Sequence, residues 1–323
     1  MKEKRIVALD VGGTKLAAAV FEGRQMLASG RRPTLVEGGP DEVFGRIAML
    51  LYSLLDKTGT RAGDLLCIGA GCGGPLDSET GVIYSPPNLP AWDEYPLKQK
   101  LEAQFLAPAF VENDANAAAL GEHYFGAGKG YRNIFYITAS TGIGSGIILD
   151  GKLYRGTNYS AGEFGHIVLA RNGPRCNCGG RGCLEALASG TAIARRAQRE
   201  IRRNSESTLA EIIERGGRIT AREVAAAARK GDRLASEIFS DAAEYLGLGI
   251  TTVIHLLNPE LVIIGGGLAQ TGSQLFEPVR RVVSQRAQRR LADCAQIVPA
   301  QMGVNVGVYG ALAVALERTG QAG

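Results

Sequence analysis

The stretch 162–185, GEFGHIVLARNGPRCNCGGRGCLE, concentrates most of the chemistry of this chain in 24 residues. It holds three of the six cysteines and one of the three histidines. Cys176, Cys178 and Cys183 form a glycine-rich C-x-C-x4-C cluster, and His166 lies ten residues upstream of the first cysteine. Three thiolates and one imidazole are a complete ligand set for tetrahedral zinc.

The alternative for these thiols is a disulfide with one spare cysteine. Cys176 and Cys178 are too close in sequence to pair easily, and the thiols of a cytoplasmic chain stay reduced, so the pattern favours zinc. Because the protein fills all four positions, no place is left for a reacting water and the metal is structural. It would hold rigid the polar residues on its rim, Glu163, His166 and Glu185.

Length and composition indicate a globular chain with two lobes. With 323 residues and 45% apolar content, the chain can bury large cores. The net charge is +4 and the basic residues are spread out, so no nucleic-acid partner is expected. No stretch is suited to a membrane span or a signal peptide. Cys67, Cys72 and Cys294 are scattered, which is typical of reduced thiols in the cytoplasm.

The N-terminal segment predicts a β-hairpin with a glycine-rich tip. Apolar, β-branched runs flank a tip that contains Asp10, Gly12, Gly13, Thr14 and Lys15. Bare backbone amides at the two glycines could cradle a phosphate, and Asp10 could hold magnesium through water. A plain turn is the alternative, because most glycine hairpins are only turns.

A second segment repeats this layout. Strand 134–138 is followed by a tip of glycines and hydroxyls at 140–146, and then by strand 147–149. The tip contains Thr141, Gly142 and Gly144. Two such hairpins predict two related lobes that hold one polyphosphate between them.

Two other glycine loops carry weaker signals. Gly266 and Gly267 follow strand 261–264, where the backbone could approach a nucleoside closely, with a turn as the alternative. Residues 69–74 match G-x-G-x-x-G after a strand. A dinucleotide site needs a helix to open at that point, and Pro75 follows instead, so this interpretation is rejected.

Two further segments supply candidate substrate contacts. Asn88 and Trp92 lie in the proline-rich loop 85–97 and could face a small polar ligand, although Trp92 could equally serve only to anchor the loop. Asn113 and Asp114 lie where a strand ends and an alanine-rich helix begins. A carboxylate there is usually a cap, but an amide beside a carboxylate can also orient a hydroxyl and take its proton.

Hydrophobic periodicity predicts the remaining elements. One helix has Asp41 as its N-cap and ends at Gly59; it is core and has no predicted chemistry. The other helices cover 115–124, 184–201, 221–230, 234–257, 274–291 and 306–316, with a last strand at 297–299.

Six motifs, in their order, closely resemble the family whose members are repressors, open reading frames and kinases (ROK). They are LDVGGTK, GCGGPLD, ENDANAAALGE, TASTGIGSG, GEFGH and CNCGGRGCLEALASG, and the similarity runs from residue 6 to about residue 316. The resemblance implies an α/β, actin-like (ribonuclease-H-like) ATPase fold of two lobes around a central cleft. We place a small lobe at 1–115, completed by the C-terminal helix at about 306–323, and a large lobe at 116–305 with the zinc knuckle at 166–183.

The resemblance also implies an activity, because enzymes of the family transfer the γ-phosphate of ATP to the 6-hydroxyl of a hexose. Asp114 takes the position of the catalytic base. The sugar contacts correspond to Asn113, Asp114, Glu163, His166 and Glu185, with Asn88 added, and His166 serves both zinc and sugar. The phosphate loops correspond to Asp10, Gly12, Thr14 and 141–144, and the patterns above add Gly13, Lys15, Gly266 and Gly267. Ser145 stands where many members have glycine, which leaves the contact at that position open.

The expected ligands are glucose, ATP, magnesium and structural zinc, in a homodimer or homotetramer. Kinases for N-acetylglucosamine, N-acetylmannosamine, fructose or allose are the alternatives within the same family. A sugar-sensing regulator is a remote alternative. Such members carry a DNA-binding segment of tens of residues ahead of the body, and four residues precede the first predicted strand here.

Overall fold

The computed structural model describes residues 4–86, 88–202 and 207–321. The strands are β1 (Arg5–Val11), β2 (Lys15–Glu22), β3 (Gln25–Pro33), β4 (Leu65–Cys72), β5 (Leu76–Asp77), β6 (Val82–Ile83), β7 (Tyr95–Pro96), β8 (Ala109–Asn113), β9 (Ile134–Ala139), β10 (Ile143–Leu149), β11 (Lys152–Leu153), β12 (Leu261–Gly265) and β13 (Gln296–Pro299). The helices are α1 (Gly39–Thr58), α2 (Leu97–Phe105), α3 (Asp114–Phe125), α4 (Leu184–Ala188), α5 (Gly190–Ile201), α6 (Thr208–Glu214), α7 (Ala221–Arg229), α8 (Arg233–Leu257), α9 (Ser273–Arg286), α10 (Arg289–Ala292) and α11 (Val306–Arg318).

Two five-stranded sheets share one topology. Their orders are β3-β2-β1-β4-β8 and β11-β10-β9-β12-β13. In each sheet the first three strands are antiparallel, and the last two run parallel to the third. The glycine-tipped hairpins β1–β2 and β9–β10 therefore occupy equivalent places, which confirms the prediction of two related lobes. Strands β5, β6 and β7 form a small separate sheet.

Alternating side chains give each sheet two buried faces. In β1, Val7 and Leu9 belong to the core that includes α1, whereas Ile6 and Ala8 pack with α11. The central strand of the second sheet, β9, likewise divides its side chains between the core formed with α5, α7 and α8 and the core shared with α3. This is the period of two that a strand covered on both faces requires.

Helices α3 and α11 lie side by side between the two sheets. Helix α11 packs on β1 and β4, α3 packs on β9 and β10, and the two helices pack on each other. A Cβ at Gly310 would lie 2.6 Å from the carbonyl oxygen of Ala117, and a Cβ at Gly121 would lie 3.0 Å from the amide nitrogen of Gly310. Glycine therefore permits backbone contact between the helices that join the lobes.

Several predicted helix boundaries are wrong. Helix α1 has Gly38 as its N-cap, so Asp41 lies in the first turn, where a negative charge favours the helix dipole. The predicted helix 184–201 is broken at Ser189, whose hydroxyl accepts a hydrogen bond from the amide of Ala192 at 3.1 Å and caps α5. The predicted helix 274–291 stops at Arg286, and α10 follows. Elements β3, α2 and α6 were not predicted.

The predicted lobe boundary at residue 115 falls in the first turn of α3. It remains a prediction, and residues 1–3, 322 and 323 of the predicted small lobe lie outside the described residues. Among the helices of the described ranges, none combines the length and apolarity needed to cross a membrane.

Candidate active site

A pocket of about 260 Å³ lies in the cleft between the two sheets. It brings together three predicted residues, Asp10, Lys15 and Asp114. Its lining is Asp10, Lys15, Asp114, Ala115, Ala118, Tyr136, Thr138, Gly303, Val304, Val306 and Gly307. Another depression of about 230 Å³, bordered by α9 and β13, contains none of the predicted site residues.

Asn113 and Asp114 have different roles at the junction between β8 and α3. The side-chain oxygen of Asn113 accepts hydrogen bonds from the amides of Ala115 at 2.9 Å and Asn116 at 3.2 Å, so Asn113 is the N-cap. Asp114 accepts a further hydrogen bond from the amide of Ala115 at 2.8 Å, so it contributes to the first turn without being the N-cap. Its carboxylate lines the cleft pocket and is exposed there, and desolvation by the surrounding protein raises its pKa.

An ion pair between Glu112 and Arg155 lies next to this junction. Glu112 is 1% exposed, and its carboxylate accepts hydrogen bonds from the amide of Asn113 at 3.0 Å and the side chain of Asn116 at 3.1 Å. Arg155 donates to Glu112 at 2.7 Å and to Glu317 of α11 at 2.7 Å. Buried hydrogen bonds to a paired carboxylate restrict the motion of the groups that make them, here the backbone at Asn113. The sequence motif contained Glu112, but its role was missed because its charged partner, Arg155, lies 43 positions away in sequence.

Asp10 faces the same cleft pocket from the end of β1. Burial and the nearby Asp114 carboxylate raise the pKa of Asp10 to about 6, while Lys15 and Arg31 act in the opposite direction. The carboxylate lies against the first turn of α11, since a Cβ at Gly307 would be 2.3 Å from its Oδ2. Two carboxylates held in one cleft favour a cation between or beside them.

The tip of the first hairpin differs from its prediction in one respect. The amide of Gly12 donates to the carbonyl of Lys15 at 3.1 Å, so the predicted bare amide at Gly12 is wrong. Thr14 and Lys15 are exposed at this tip. A Cβ at Gly13 would lie 2.2 Å from the carbonyl oxygen of Asn88, so the loop of Asn88 rests directly on the hairpin.

Trp92, in the same loop, anchors it to the core that includes α1. Its side chain is only 1% exposed, and its ring lies 4.4 Å from that of Tyr95, measured between centroids. The anchoring alternative for Trp92 is therefore the right one. Asn88 remains exposed.

The second hairpin has a shorter tip than predicted. Strand β10 begins at Ile143, which pairs with Ala139, so only residues 140–142 form the tip. Thr141 and Gly142 lie there. Gly144 lies inside the strand and packs on α3, where its Cβ would be 3.3 Å from that of Ala115, so its predicted place in the loop is wrong.

Glu185 touches this second tip. One of its carboxylate oxygens accepts a hydrogen bond from the amide of Ile143 at 2.9 Å, and the same oxygen would lie 2.5 Å from a Cβ at Gly142. The third glycine loop lies on the other side. A Cβ at Gly266 would be 2.4 Å from the carbonyl oxygen of Ala139, and Gly267 faces the Ser140 hydroxyl. The structure thus gathers both predicted nucleotide loops of the second sheet at one place.

The four predicted zinc ligands converge. Their ligand atoms all lie within 4.8 Å of one another. His166 Nδ1 is 3.6 Å from Cys176 Sγ, and Cys178 Sγ is 3.7 Å from Cys183 Sγ. Tetrahedral zinc with bonds of about 2.0–2.3 Å separates its ligands by about 3.3–3.8 Å, so these four residues fit that ion.

The knuckle also reaches the predicted sugar contacts. His166 Nε2 lies 3.7 Å from a carboxylate oxygen of Glu163, on the opposite side of the ring from the thiols. Gly182 allows the chain to turn there, with φ of 71° and no room for a side chain beside the carbonyl of Ala170. Glu185 follows two residues after Cys183.

The segment 303–307 was missed by sequence reasoning, although it lines the cleft. It is held by Glu122, which is fully buried. The Glu122 carboxylate accepts hydrogen bonds from the amides of Ala127 at 2.9 Å, Gln301 at 2.9 Å and Met302 at 2.8 Å. The last acid of ENDANAAALGE was the available signal, since a carboxylate on an apolar helix face needs buried partners.

Comparison with known proteins decides the family. The family model described as "ROK family" matches residues 6–318 of this chain. The chain belongs to the ROK family. A glucokinase of Thermotoga maritima is 36% identical over 321 residues, which span 99% of this chain and 100% of the relative.

Solved ROK structures have the same fold. The crystal structure of a ROK family glucokinase from Streptomyces griseus in complex with glucose and AMPPNP is 33% identical, with a TM-score of 0.79 over 95% of this chain and 97% of that one. A ROK family transcriptional regulator, a homolog of the E. coli MLC protein, is 28% identical with a TM-score of 0.83 over 96% of this chain and 77% of that one. The predicted two-lobed actin-like fold is confirmed.

Proposed function

We propose that this ROK protein is an ATP-dependent hexose kinase that phosphorylates the 6-hydroxyl of glucose. The observation that carries the proposal is Asp114, a carboxylate that lines the cleft pocket while the neighbouring Asn113 serves as the N-cap. Relatives that are glucokinases at 36% and 38% identity support the choice of reaction.

Asp114 acts as the general base. Its carboxylate accepts the proton of the 6-hydroxyl as that oxygen attacks the γ-phosphorus, and the bond to the β-phosphate oxygen breaks. The raised pKa makes Asp114 a better proton acceptor, provided that it is ionised at the working pH. The amide group of Asn113 orients the hydroxyl, because its oxygen is occupied by the helix cap and its NH₂ group is left to donate.

The two hairpins hold the phosphates. Tip amides and hydroxyls of residues 13–15 and 141–142 contact the polyphosphate, Gly266 and Gly267 contact the nucleoside, and Lys15 adds positive charge. Asp10 would hold magnesium through water, which fits its place beside a second carboxylate. Magnesium held there would supply positive charge that neutralises the negative charge developing on the phosphates during transfer.

Gly307 gives a test of the magnesium proposal. Gly307→Ala places a methyl where the Asp10 carboxylate lies, so we expect at least ~10-fold lower kcat and a higher magnesium requirement, because small displacements of reacting groups are costly. Gly45→Ala is the matched control, since a Cβ there meets nothing within 4 Å. The measurement is initial rate against magnesium concentration. An unchanged magnesium dependence in Gly307→Ala would contradict the role of Asp10.

The sugar is held by groups that the zinc knuckle positions. Glu163 and Glu185 are strong acceptors, and His166 presents Nε2 while Nδ1 faces the thiols. Such a set suits vicinal hydroxyls of a pyranose. An N-acetyl group would remove one hydroxyl donor and add bulk, and a site that leaves buried polar groups unpaired rejects such analogues.

The proposal also includes the division into two lobes, the cellular location and the oligomeric state. We assign residues 1–115 with α11 to a small lobe and residues 116–305 to a large lobe, which close over the cleft and exclude water. Support comes from α11 packing on the first sheet and α3 on the second. A cytoplasmic location and a homodimer or homotetramer remain predictions.

A sugar panel tests the function. We expect kcat/KM for glucose to exceed that for N-acetylglucosamine, N-acetylmannosamine, mannose and fructose by at least ~10-fold, measured as ADP release under one set of conditions. Another preferred sugar would overturn the choice of glucose and leave the kinase standing. Glucose binding without phosphorylation of any sugar would instead favour a non-catalytic regulator.

A further inference from the structure

We infer that Ser145 is a positioning residue for the sugar contact Glu163, although it lies in a strand that begins at a phosphate hairpin. The inference deepens the proposed function and rests on it for the identity of the sugar site. Ser145 is 3% exposed, and its hydroxyl donates to the carbonyl of Gly162 at 2.6 Å.

The direction of the Ser145 side chain follows from strand geometry. Gly144 and Gly146 face α3, since Cβ atoms there would lie 3.3 Å from Ala115 and 2.6 Å from Ala119. Side chains alternate along a strand, so Ser145 points to the opposite face. On that face its hydroxyl is used by the carbonyl of Gly162, which gives the open question about a contact at this position a structural answer.

The hydrogen bond from Ser145 anchors a tight turn that presents Glu163. The carbonyl of Gly162 also accepts a hydrogen bond from the amide of Phe164 at 2.7 Å. Glu163, between them, has φ of −71° and ψ of 49°. These angles are near those of an inverse γ-turn, about −75° and +65°. The carbonyl of Gly162 thus closes the turn and also accepts the hydrogen bond from Ser145, which lies outside the turn.

A side chain at the start of this turn would destroy the contact. Gly162 has φ of 91°, and a Cβ there would lie 2.8 Å from the carbonyl oxygen of Ser145. With glycine at this position, a carboxylate oxygen of Glu163 lies 3.7 Å from His166 Nε2. The Ser145 hydroxyl therefore links the second nucleotide hairpin to the acid that receives the sugar hydroxyls.

Ser145→Ala tests the inference because it should change the KM for glucose and the KM for ATP by different amounts. We expect KM for glucose to rise about 3- to 10-fold, the worth of one neutral hydrogen bond, with KM for ATP changed less than about twofold. Ser78→Ala is the matched control. Ser78 is also 3% exposed, but its hydroxyl has no hydrogen-bond partner in the described part of the chain, so both constants should be unchanged.

A double-mutant cycle distinguishes positioning of Glu163 from general loosening of the fold. In a Glu163→Gln background, Ser145→Ala should have no further effect on glucose KM, because the group it positions is already altered. An equal rise in both backgrounds, or no rise in the wild-type background, would overturn the inference.

One readout does not depend on catalysis. In sugar-free protein, amide hydrogen exchange at Phe164 should be faster in Ser145→Ala than in the wild type and Ser78→Ala, because the turn loses its anchor. Unchanged exchange would overturn the inference even if the wild type phosphorylates glucose. Faster exchange in a wild-type background that phosphorylates no sugar would leave Ser145 as the anchor of the turn while the proposed function fails.

Discussion

Asp114→Asn should lower kcat at least ~100-fold while glucose still binds, because general-base help is usually worth ~10²–10⁴-fold. Asparagine has nearly the shape of aspartate but cannot take the proton of the 6-hydroxyl. The helix should remain intact, since Asn113 is the N-cap and the asparagine oxygen can still accept the hydrogen bond that the Ala115 amide donates to Asp114. The measurements are kcat in the coupled assay and glucose affinity by calorimetry.

Asp41→Asn is the control for loss of one carboxylate. Asp41 lies in the first turn of α1 and its side chain is 82% exposed, so its removal should leave kcat within about twofold, since surface ion pairs contribute little. Near-normal turnover in Asp114→Asn would mean that this carboxylate is not the base.

The pH dependence of the rate is a second test of the role of Asp114 as the base. The base must be ionised, and burial raises the pKa of Asp114, so the wild-type rate should fall as the pH is lowered through that raised value. Asp114→Asn cannot titrate at this position, so its residual rate should lack that limb. A limb that persists unchanged in the variant would assign the titration to another group.

The tips of the hairpins were predictable because their signals are local. Glycine and hydroxyl residues between β-branched runs predict a turn at that place, and both hairpins are found there. Register was less accessible. The start of β10 at Ile143 depends on its pairing with Ala139, and one changed pairing moves Gly144 from the loop into the strand.

Contacts between distant segments could not be read from the sequence. The hydrogen bond from the Ile143 amide to Glu185 joins residues 42 positions apart, and that from Arg155 to Glu112 joins residues 43 apart. Strand β3 was missed for another reason. It is a partly exposed edge strand without regular alternation, so its pattern carries no period of two.

Cys178→Ser should reduce bound zinc from one per subunit to nearly none. Loss of a supporting group around a metal costs ~10–100-fold in affinity, so loss of a ligand itself should cost at least ~100-fold. Serine is a poor substitute because the site offers three sulfurs and one ring nitrogen, a set that selects zinc by its softness. A hydrogen bond from the Gly180 amide lowers the pKa of the Cys178 thiol, which favours the thiolate that binds metal.

Glucose affinity should fall together with the metal in Cys178→Ser, because the knuckle holds His166 and ends two residues before Glu185. KM for ATP should change less, since the first hairpin lies outside the knuckle. Cys294→Ser is the control. Cys294 is also an exposed free thiol but is not among the clustered ligands, so its variant should keep one zinc and normal glucose KM. Metal analysis of protein purified without chelator decides the matter: wild-type protein without zinc, or Cys178→Ser with a full complement, would show that the four residues do not hold a structural metal.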